Sequence, residues 1–193
     1  DVGNVNINFE RLIRMHDDQK WATSGIYATM GFGVPAALAA KVNYPDRDVY
    51  SLSGDGAFAM LSEEILAQVK YNLHIINIVL GFIEAEQTDD SHQPLSGVDL
   101  PDTDWAKVGE GYGAVGYTVR TKAEFKQALE DAKKTDKPVV IDVKLTHAMP
   151  FTTEHMYLDD AWQDKDKIAE FVKKYDAQAL KPFSYFLKQA QTN

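Results

Sequence analysis

The feature that most constrains the fold of this 193-residue chain is a strand pattern that runs directly into a helix pattern. The apolar run 48–52 predicts a buried strand, which ends at Gly54-Asp55-Gly56, and an amphipathic helix begins at once. This arrangement places the carboxylate of Asp55 at a helix N-terminus, where backbone N–H groups can also hold a phosphate. Because two anions repel each other, a carboxylate beside a phosphate needs a divalent cation between them. Tight βα turns also use Gly and Asp for backbone reasons alone, so a metal-bridged diphosphate site at Asp55 is a hypothesis at this point.

Strand and helix patterns alternate along most of the chain. Apolar runs predict further strands at 74–80, 114–119 and 138–145, and helix patterns occupy 35–41, 56–70, 105–109 and 121–134. Near-continuous apolar strands are typical of a sheet that is covered on both faces. The sequence therefore predicts an α/β fold, a doubly wound, mostly parallel sheet with helices on both faces. In such sheets ligands bind beyond the carboxyl ends of the strands, where Gly3, Gly54 and Gly81 fall.

The helix pattern after Gly56 predicts which side chains enter the core. Its apolar stripe recurs every three or four residues and consists of Phe58, Leu61, Ile65 and Val69. Its predicted solvated face consists of Glu63, Glu64, Gln68 and Lys70. Residues 1–7 predict a turn after an upstream strand, and residues 8–20 a surface loop or short helix. We expect residues 1–146 to form the domain core and residues 147–193 to form a C-terminal helical extension of the same domain.

Composition narrows the class of protein. The net charge of −9 argues against nucleic-acid and anionic-membrane partners, and zero cysteines exclude disulfides and thiolate metal sites. A cysteine-free chain without a signal-peptide pattern is compatible with a cytoplasmic protein. The five histidines show no ligand spacing. Because the chain begins at Asp1 with turn residues, we expect it to be part of a longer polypeptide.

Three separated segments together resemble one family. They are Asp1-Val2-Gly3-Asn4, Ala28-Thr29-Met30-Gly31-Phe32-Gly33-Val34-Pro35 and Gly54-Asp55-Gly56-Ala57, and their order and spacing are similar to those of the cofactor-binding domain of thiamine-diphosphate-dependent enzymes. The resemblance extends from residue 1 to about residue 146. Within that family, residues 81–87 and 175–182 resemble the corresponding segments of the pyruvate oxidases.

The resemblance implies a thiamine diphosphate site at the carboxyl edge of the sheet. Asp55 is expected to ligate the Mg²⁺ that bridges to the diphosphate, as suits a hard cation with oxygen ligands. The diphosphate is expected to contact Gly3, Asn4, Gly54, Gly56 and Ala57. The side chain of Met30 is expected to fold the cofactor so that its amino group approaches C2 of the thiazolium, with that amino group held by the backbone carbonyl of Ala28.

The resemblance to the pyruvate oxidases also implies a reaction. It is the oxidative decarboxylation of pyruvate with phosphate and O₂ to acetyl phosphate, CO₂ and H₂O₂, with FAD as electron acceptor. Phe82 is expected to lie between the thiazolium and the flavin, Ile83 to pack on the cofactor, and Glu86 to act on the bound intermediate. Most of the FAD site and the glutamate that activates the cofactor are expected on upstream domains of the same polypeptide. The chain by itself is therefore not expected to catalyse this reaction. The complete enzyme is expected to be a homotetramer.

Other functions remain open on the sequence. An acetolactate synthase or a quinone-linked pyruvate dehydrogenase would share the site and differ in electron acceptor or product. A non-catalytic binding module would keep the fold and lack the metal site.

The chain departs from the family pattern after the second strand. The family has an Asn metal ligand in the loop after this strand, but here Gly81 comes directly after Leu80, and Asn72 and Asn77 lie before or within the strand. Either a metal ligand has been lost, or several residues are absent from this sequence. We expect the second, because a strand needs about 2–6 residues to pass into a helix. The Leu80–Gly81 Cα separation is then expected to exceed the ~3.8 Å of a trans peptide.

Overall fold

The computed structural model describes residues 1–80, 97 and 100–145, together with 169 and 173. Residues 1–80, 97 and 100–145 belong to one compact unit. The predictions for Phe82, Ile83 and Glu86, for the Leu80–Gly81 separation and for nearly all of the segment 147–193 lie outside the described residues. They stay predictions.

Four parallel strands form the sheet of this unit. In chain order they are β1 (Tyr50–Ser53), β2 (Ile76–Leu80), β3 (Val115–Val119) and β4 (Val139–Val143), and their order across the sheet is β1-β2-β4-β3. Ser53 at the end of β1 pairs with Val79, and Leu80 at the end of β2 pairs with Val143. The carboxyl ends of the strands therefore meet at one edge of the sheet, as the sequence predicts.

Helices cover both faces of this sheet. They are α1 (Asn4–Leu12), α2 (Gly33–Asn43), α3 (Asp55–Leu61), α4 (Ile65–Lys70), α5 (Trp105–Tyr112) and α6 (Lys122–Ala132), with a 3₁₀ turn at Ser62–Glu64. Within the described part of the chain, no helix is long and apolar enough to span a membrane. The predicted α/β architecture is confirmed.

The two faces of the sheet carry separate apolar clusters because side chains alternate along each strand. One cluster joins Ile76, Ile78, Val139 and Ile141 of the sheet to Ala128 and Ala132 of α6. The other joins Val79 and Val140 of the sheet to Val34, Phe58 and Ile65 of α2, α3 and α4. The latter cluster fixes the start of α3 on the sheet, since Phe58 is fully buried only three residues after Asp55.

The predicted helix 56–70 is wrong in one respect, because two helices replace it. The backbone of Leu61 leaves the helical region, at φ −141° and ψ 31°, and the 3₁₀ turn comes next. The change of direction buries Gln68, which the sequence predicts on the solvated face. The N-terminal prediction also needs correction, since α1 begins at Asn4 within the predicted turn. The N–H of Gly3 donates to the Asn6 side-chain oxygen at 2.9 Å, which satisfies a donor at the start of this helix.

A buried polar network explains why Gln68 is inside. The side-chain amide of Asn77 donates to Gln68 Oε1 at 2.9 Å and to the carbonyl oxygen of Val139 at 3.1 Å. The hydroxyl of Ser51 donates to Asn77 Oδ1 at 2.8 Å. These bonds satisfy buried polar groups that would otherwise destabilise the core. The side chain of Asn77 is therefore engaged in hydrogen bonds inside the sheet.

Helix α5 provides a stringent test of the packing on β4. A Cβ atom added to Gly109 would overlap Val140 Cγ2 and lie 2.9 Å from Val140 Cβ, whereas one added to Gly111 on the same helix would contact nothing within 4 Å. We predict that Gly109→Ala lowers the free energy of unfolding by roughly 1–3 kcal/mol through overpacking. The matched Gly111→Ala variant should be neutral or stabilising by up to about 1 kcal/mol. Urea denaturation of the two variants measures both values, and equal effects would contradict the described α5–β4 packing.

Candidate functional site

The turn between β1 and α3 presents a helix N-terminus next to a carboxylate. β1 ends at Ser53 and α3 begins at Asp55, and no side chain caps the helix. The N–H of Phe58 makes the first helical bond, to the carbonyl oxygen of Gly54 at 2.8 Å. The N–H of Gly56 donates to Asp55 Oδ1 at 2.8 Å. Within the described part of the chain the N–H of Ala57 has no acceptor, so this end of α3 retains a donor for an anion.

The side chain of Asp55 has no cationic partner in the described part of the chain. Its side chain is half-buried, and across residues 1–80 and 100–145 no lysine, arginine or histidine forms an ion pair with it. No group of three or more His, Cys, Asp or Glu residues that could hold a metal occurs in the described part of the chain. The described residues therefore offer one carboxylate, and a hard cation held here needs further oxygen ligands from elsewhere.

Asp1 connects the other predicted segments to this turn. Its carboxylate is 4% exposed and accepts hydrogen bonds from both sides of the Phe32 turn. The N–H of Gly31 donates to Oδ1 at 3.0 Å, and the N–H of Gly33 donates to Oδ2 at 3.1 Å. The hydroxyl of Ser53 donates to Oδ2 at 3.3 Å. These bonds join the N-terminal segment, the turn before α2 and the end of β1.

The segment before α2 adopts two unusual backbone conformations. Ala28 has φ +50° and its N–H donates to the carbonyl oxygen of Ser24, while Gly31 has φ +88°. A left-handed conformation costs a residue with a side chain roughly 1–2 kcal/mol and is concentrated at functional sites. Met30 lies between these two residues and is 39% exposed. It is therefore not a core methionine.

Close packing leaves little space for a side chain at Gly31 and Gly33, at the start of α2. A Cβ atom added to Gly33 would lie 2.7 Å from Ser53 Oγ and 3.2 Å from Asp1 Oδ2. A Cβ atom added to Gly31 would lie 3.2 Å from Leu61 Cδ1 in α3. The glycines of this segment thus allow its backbone to approach both β1 and α3.

The structure brings several of the predicted site residues close together along these contacts. Gly3 lies two residues after Asp1, Met30 precedes Gly31, and Gly54 comes after Ser53. Gly3 has φ +130°, and Asn4 is the first residue of α1. Their individual roles toward a cofactor stay predictions.

An ion-paired lysine, which the sequence does not predict, holds segment 100–104 next to Gly56. Lys144 Nζ lies 3.1 Å from Asp142 Oδ2 and 3.0 Å from Asp102 Oδ1, and it donates to the carbonyl oxygen of Thr103 at 2.6 Å. Burial lowers the pKa of Lys144, but the bonds to the two carboxylates outweigh burial and raise it above its ordinary value. No local pattern reveals this cluster, because Asp102 and Thr103 lie 42 and 41 residues before Lys144.

The same cluster sets the path of the chain into α5. The N–H of Trp105 donates to Asp142 Oδ2 at 2.9 Å, and Asp142 is 2% exposed. Upstream of this contact, Leu100 Cδ1 lies 3.8 Å from the position that a Cβ atom on Gly56 would take. The segment 100–104 therefore borders the turn at the start of α3.

A parallel α/β sheet with an acid and a free helix N-terminus at its carboxyl edge defines a class of nucleotide- and diphosphate-binding domains. The family model of thiamine pyrophosphate enzymes, C-terminal TPP binding domain, matches residues 1–143. The chain belongs to this family of thiamine pyrophosphate (thiamine diphosphate) enzymes.

Relatives of several activities share this domain. A pyruvate oxidase of Lactiplantibacillus plantarum is 37% identical over 196 aligned residues, which cover 98% of this chain and 32% of that protein. A 3D-(3,5/4)-trihydroxycyclohexane-1,2-dione hydrolase of Bacillus licheniformis is 34% identical over 77% of this chain and 27% of that protein. The solved thiamine diphosphate-dependent 4-hydroxybenzoylformate decarboxylase of Rhodococcus jostii RHA1 superposes with a TM-score of 0.57 at 29% identity, covering 62% of this chain and 24% of that one. The chain spans less than a third of the length of these relatives.

Replacing Lys144 tests the segment that borders Gly56. We predict that Lys144→Met lowers the free energy of unfolding by about 3 kcal/mol, because it leaves the buried carboxylate of Asp142 without its cation. The matched variant Lys107→Met removes an exposed pair with Asp104 in α5 and should change stability by less than about 1 kcal/mol. Urea denaturation gives both values. A Lys144→Met variant as stable as Lys107→Met would show that the cluster is not formed.

Proposed function

We propose that this chain is the cofactor-binding part of a pyruvate oxidase that converts pyruvate, phosphate and O₂ to acetyl phosphate, CO₂ and H₂O₂. The observation that carries the proposal is the extent of similarity. The alignment with the pyruvate oxidase covers 98% of the chain, well past the end of the family model at residue 143, whereas that with the hydrolase covers 77%. Similarity that includes the C-terminal segment favours the oxidase over relatives that share the common domain alone.

The residues at the β1–α3 turn fit a diphosphate joined to a divalent cation. Asp55 has no competing ion pair in the described part of the chain, and the N–H of Ala57 is free there to donate to a phosphate oxygen. Gly54 and Gly56 leave space on this edge, since added Cβ atoms would meet no atom closer than 3.7 Å. Asp55 would therefore hold Mg²⁺, and Gly54, Gly56 and Ala57, with Gly3 and Asn4, would hold the diphosphate.

The segment before α2 would orient the rest of the cofactor. When bound, thiamine diphosphate supplies the carbon nucleophile for a 2-oxo acid such as pyruvate. The exposed side chain of Met30 offers an apolar support, and Ala28, two residues before it, has a left-handed backbone conformation. Ala28 would accept a hydrogen bond from the amino group of the cofactor. Met30 and Ala28 would bind and orient the cofactor, and they would transfer no proton themselves.

The remaining parts of the proposed oxidase lie elsewhere. Phe82, Ile83 and Glu86 would border the reacting groups, and upstream domains would supply most of the FAD site and the activating glutamate. We place the enzyme in the cytoplasm as a homotetramer. The chain's share of 32% of the pyruvate oxidase supports a longer polypeptide.

We also propose that several residues, including an Asn metal ligand, connect Leu80 to Gly81 in the complete protein. The alignment with the pyruvate oxidase extends over 196 positions, more than the 193 residues of this chain, so the relative has residues for which this chain has no counterpart. A strand that ends at Leu80 needs such a connection before a helix can begin. Peptide mass spectrometry across this junction in the purified protein tests the proposal: a peptide with Leu80 bonded to Gly81 would contradict it.

A decarboxylase, hydrolase or synthase reaction is the second candidate. It is favoured by the similarity to the 4-hydroxybenzoylformate decarboxylase and to the trihydroxycyclohexanedione hydrolase. Such enzymes share the cofactor and differ in the steps after its attack on the substrate. The products of these reactions distinguish such enzymes from a pyruvate oxidase.

A product assay on the full-length protein tests the proposed reaction. With pyruvate, phosphate, Mg²⁺, thiamine diphosphate and FAD, we expect H₂O₂ and acetyl phosphate in equal amounts, and loss of both products when any one component is omitted. Acetolactate without H₂O₂ would indicate a synthase, and reduction of a quinone in place of O₂ would indicate a quinone-linked dehydrogenase. Absence of any product together with absence of cofactor binding would indicate a non-catalytic module.

Asp55→Asn tests the metal ligand itself. The amide keeps the shape of the side chain and removes the charge, so we predict a rise of about 100-fold in the Kd for thiamine diphosphate in the presence of Mg²⁺. The matched control is Asp131→Asn, which removes a partly exposed carboxylate near the end of α6 that pairs with Lys134. Calorimetric titration measures both values. Tight, Mg²⁺-dependent binding by the Asp55→Asn protein would contradict this assignment.

A further inference from the structure

The carboxylate of Asp1 is a buried charge to which the proposed function assigns no role. It is 4% exposed, and within the described part of the chain no lysine, arginine or histidine side chain pairs with it. A buried carboxylate without a cation is costly unless hydrogen bonds satisfy its oxygens. Here each oxygen accepts two bonds, which identifies a site built around this one side chain.

The bonds divide between the two oxygens in a way that fixes one turn. Oδ1 accepts from the N–H groups of Val2 and Gly31, and Oδ2 accepts from the N–H of Gly33 and the hydroxyl of Ser53. Neither glycine N–H has another acceptor in the described part of the chain, since one lies in a turn and the other is the first residue of α2. The Asp1 carboxylate therefore accepts the bonds of two backbone N–H groups that have no partner in a helix or strand.

The same bonds fix the distance between two halves of the proposed cofactor site. Met30 is bonded directly to Gly31, and Gly54 is bonded directly to Ser53. Both neighbours bond to one rigid carboxylate, so a shift of this group moves the Met30 side chain relative to the β1–α3 turn. Hydrogen bonds to an ionised acceptor are stronger than bonds between neutral groups, which suits this positioning.

We infer that Asp1 is a positioning residue, which holds Met30 at the correct distance from the diphosphate-binding turn through its bonds to Gly31, Gly33 and Ser53. The role rests on the proposed function, because it requires a cofactor between Met30 and the turn. Asp1 does not touch the cofactor. It acts through the backbone that carries Met30.

The chemistry of the site predicts which replacement is informative. A carboxylate offers acceptors on both oxygens, whereas an amide of the same shape offers one oxygen and one NH₂ group. In Asp1→Asn the NH₂ group must face a backbone N–H, so at least one bond of the turn is lost while the volume is retained. The matched control is Asp131→Asn, the same change at a partly exposed position near the end of α6.

The test uses the full-length protein saturated with thiamine diphosphate and Mg²⁺. The exchange rate of the proton on C2 of the bound cofactor reports how closely its amino group approaches that carbon, which depends on Met30. We expect exchange to be slower by about tenfold or more in Asp1→Asn and unchanged in Asp131→Asn. Wild-type exchange in a folded Asp1→Asn protein overturns the inference.

A double-mutant cycle with Met30→Ala separates positioning from general destabilisation. If Asp1 acts through Met30, Asp1→Asn should slow exchange much less in the Met30→Ala background than in the wild type. Equal slowing in both backgrounds would show that Asp1 acts by another route and would overturn the inference.

A measurement on the unmodified protein covers the case in which Asp1→Asn does not fold. Amide hydrogen exchange should show Gly31 and Gly33 protected, although neither N–H belongs to a helix or strand ladder. Rapid exchange of both amides overturns the inference. If the wild-type protein does not bind thiamine diphosphate, the proposed function fails and this role fails with it. If it binds and Asp1→Asn exchanges normally, the inference alone fails.

Discussion

The fold of this chain around its candidate site depends on one buried carboxylate. Asp1 bonds to Gly31, Gly33 and Ser53, which lie 30 to 52 residues after it in the sequence. The apolar clusters hold helices on both faces of the sheet. The Asp1 bonds connect the N-terminal segment, the turn before α2 and the end of β1 directly, and each joins a polar atom that has no place in a helix or strand ladder.

The architecture can be predicted from the sequence to a large extent, because its signals are local. Apolar runs predict all four described strands within a few residues. The sequence Thr121-Lys122-Ala123-Glu124 is a capping box and predicts the start of α6, where the Thr121 hydroxyl accepts from the N–H of Glu124 and the Glu124 carboxylate accepts from the N–H of Thr121. The turn at Gly54–Gly56 is also a local signal. Each of these features depends on residues that are neighbours in the chain.

The features that the sequence does not reveal depend on residues that are distant in the chain. The helix pattern predicts Gln68 on a solvated face, but its amide pairs with Asn77 across the interface between α4 and β2. In the sequence, Lys144 looks like an ordinary polar residue at the end of a strand. Its ion pair cannot be read from the sequence, because its partner Asp102 is 42 residues away. Asp1 belongs to a segment that resembles the family, yet only the structure shows what its carboxylate contacts. Polar networks of this kind leave no periodic pattern that a sequence can display.

In the proposed enzyme, cofactor binding and the choice of reaction depend on different groups. Asp55, the uncapped start of α3 and the segment of Met30 explain how a thiamine diphosphate enzyme would hold its cofactor, and the relatives with other activities share that domain. The proposed choice among reactions depends on other groups, which are Phe82, Ile83 and Glu86 and the upstream domains. The central claim is therefore that Asp55 carries the metal. A crystal structure of the full-length protein with thiamine diphosphate and Mn²⁺ in place of Mg²⁺ tests it, since anomalous scattering locates Mn²⁺. We predict the ion at about 2.1 Å from a carboxylate oxygen of Asp55; an ion bound elsewhere, with Asp55 unligated, would contradict this claim.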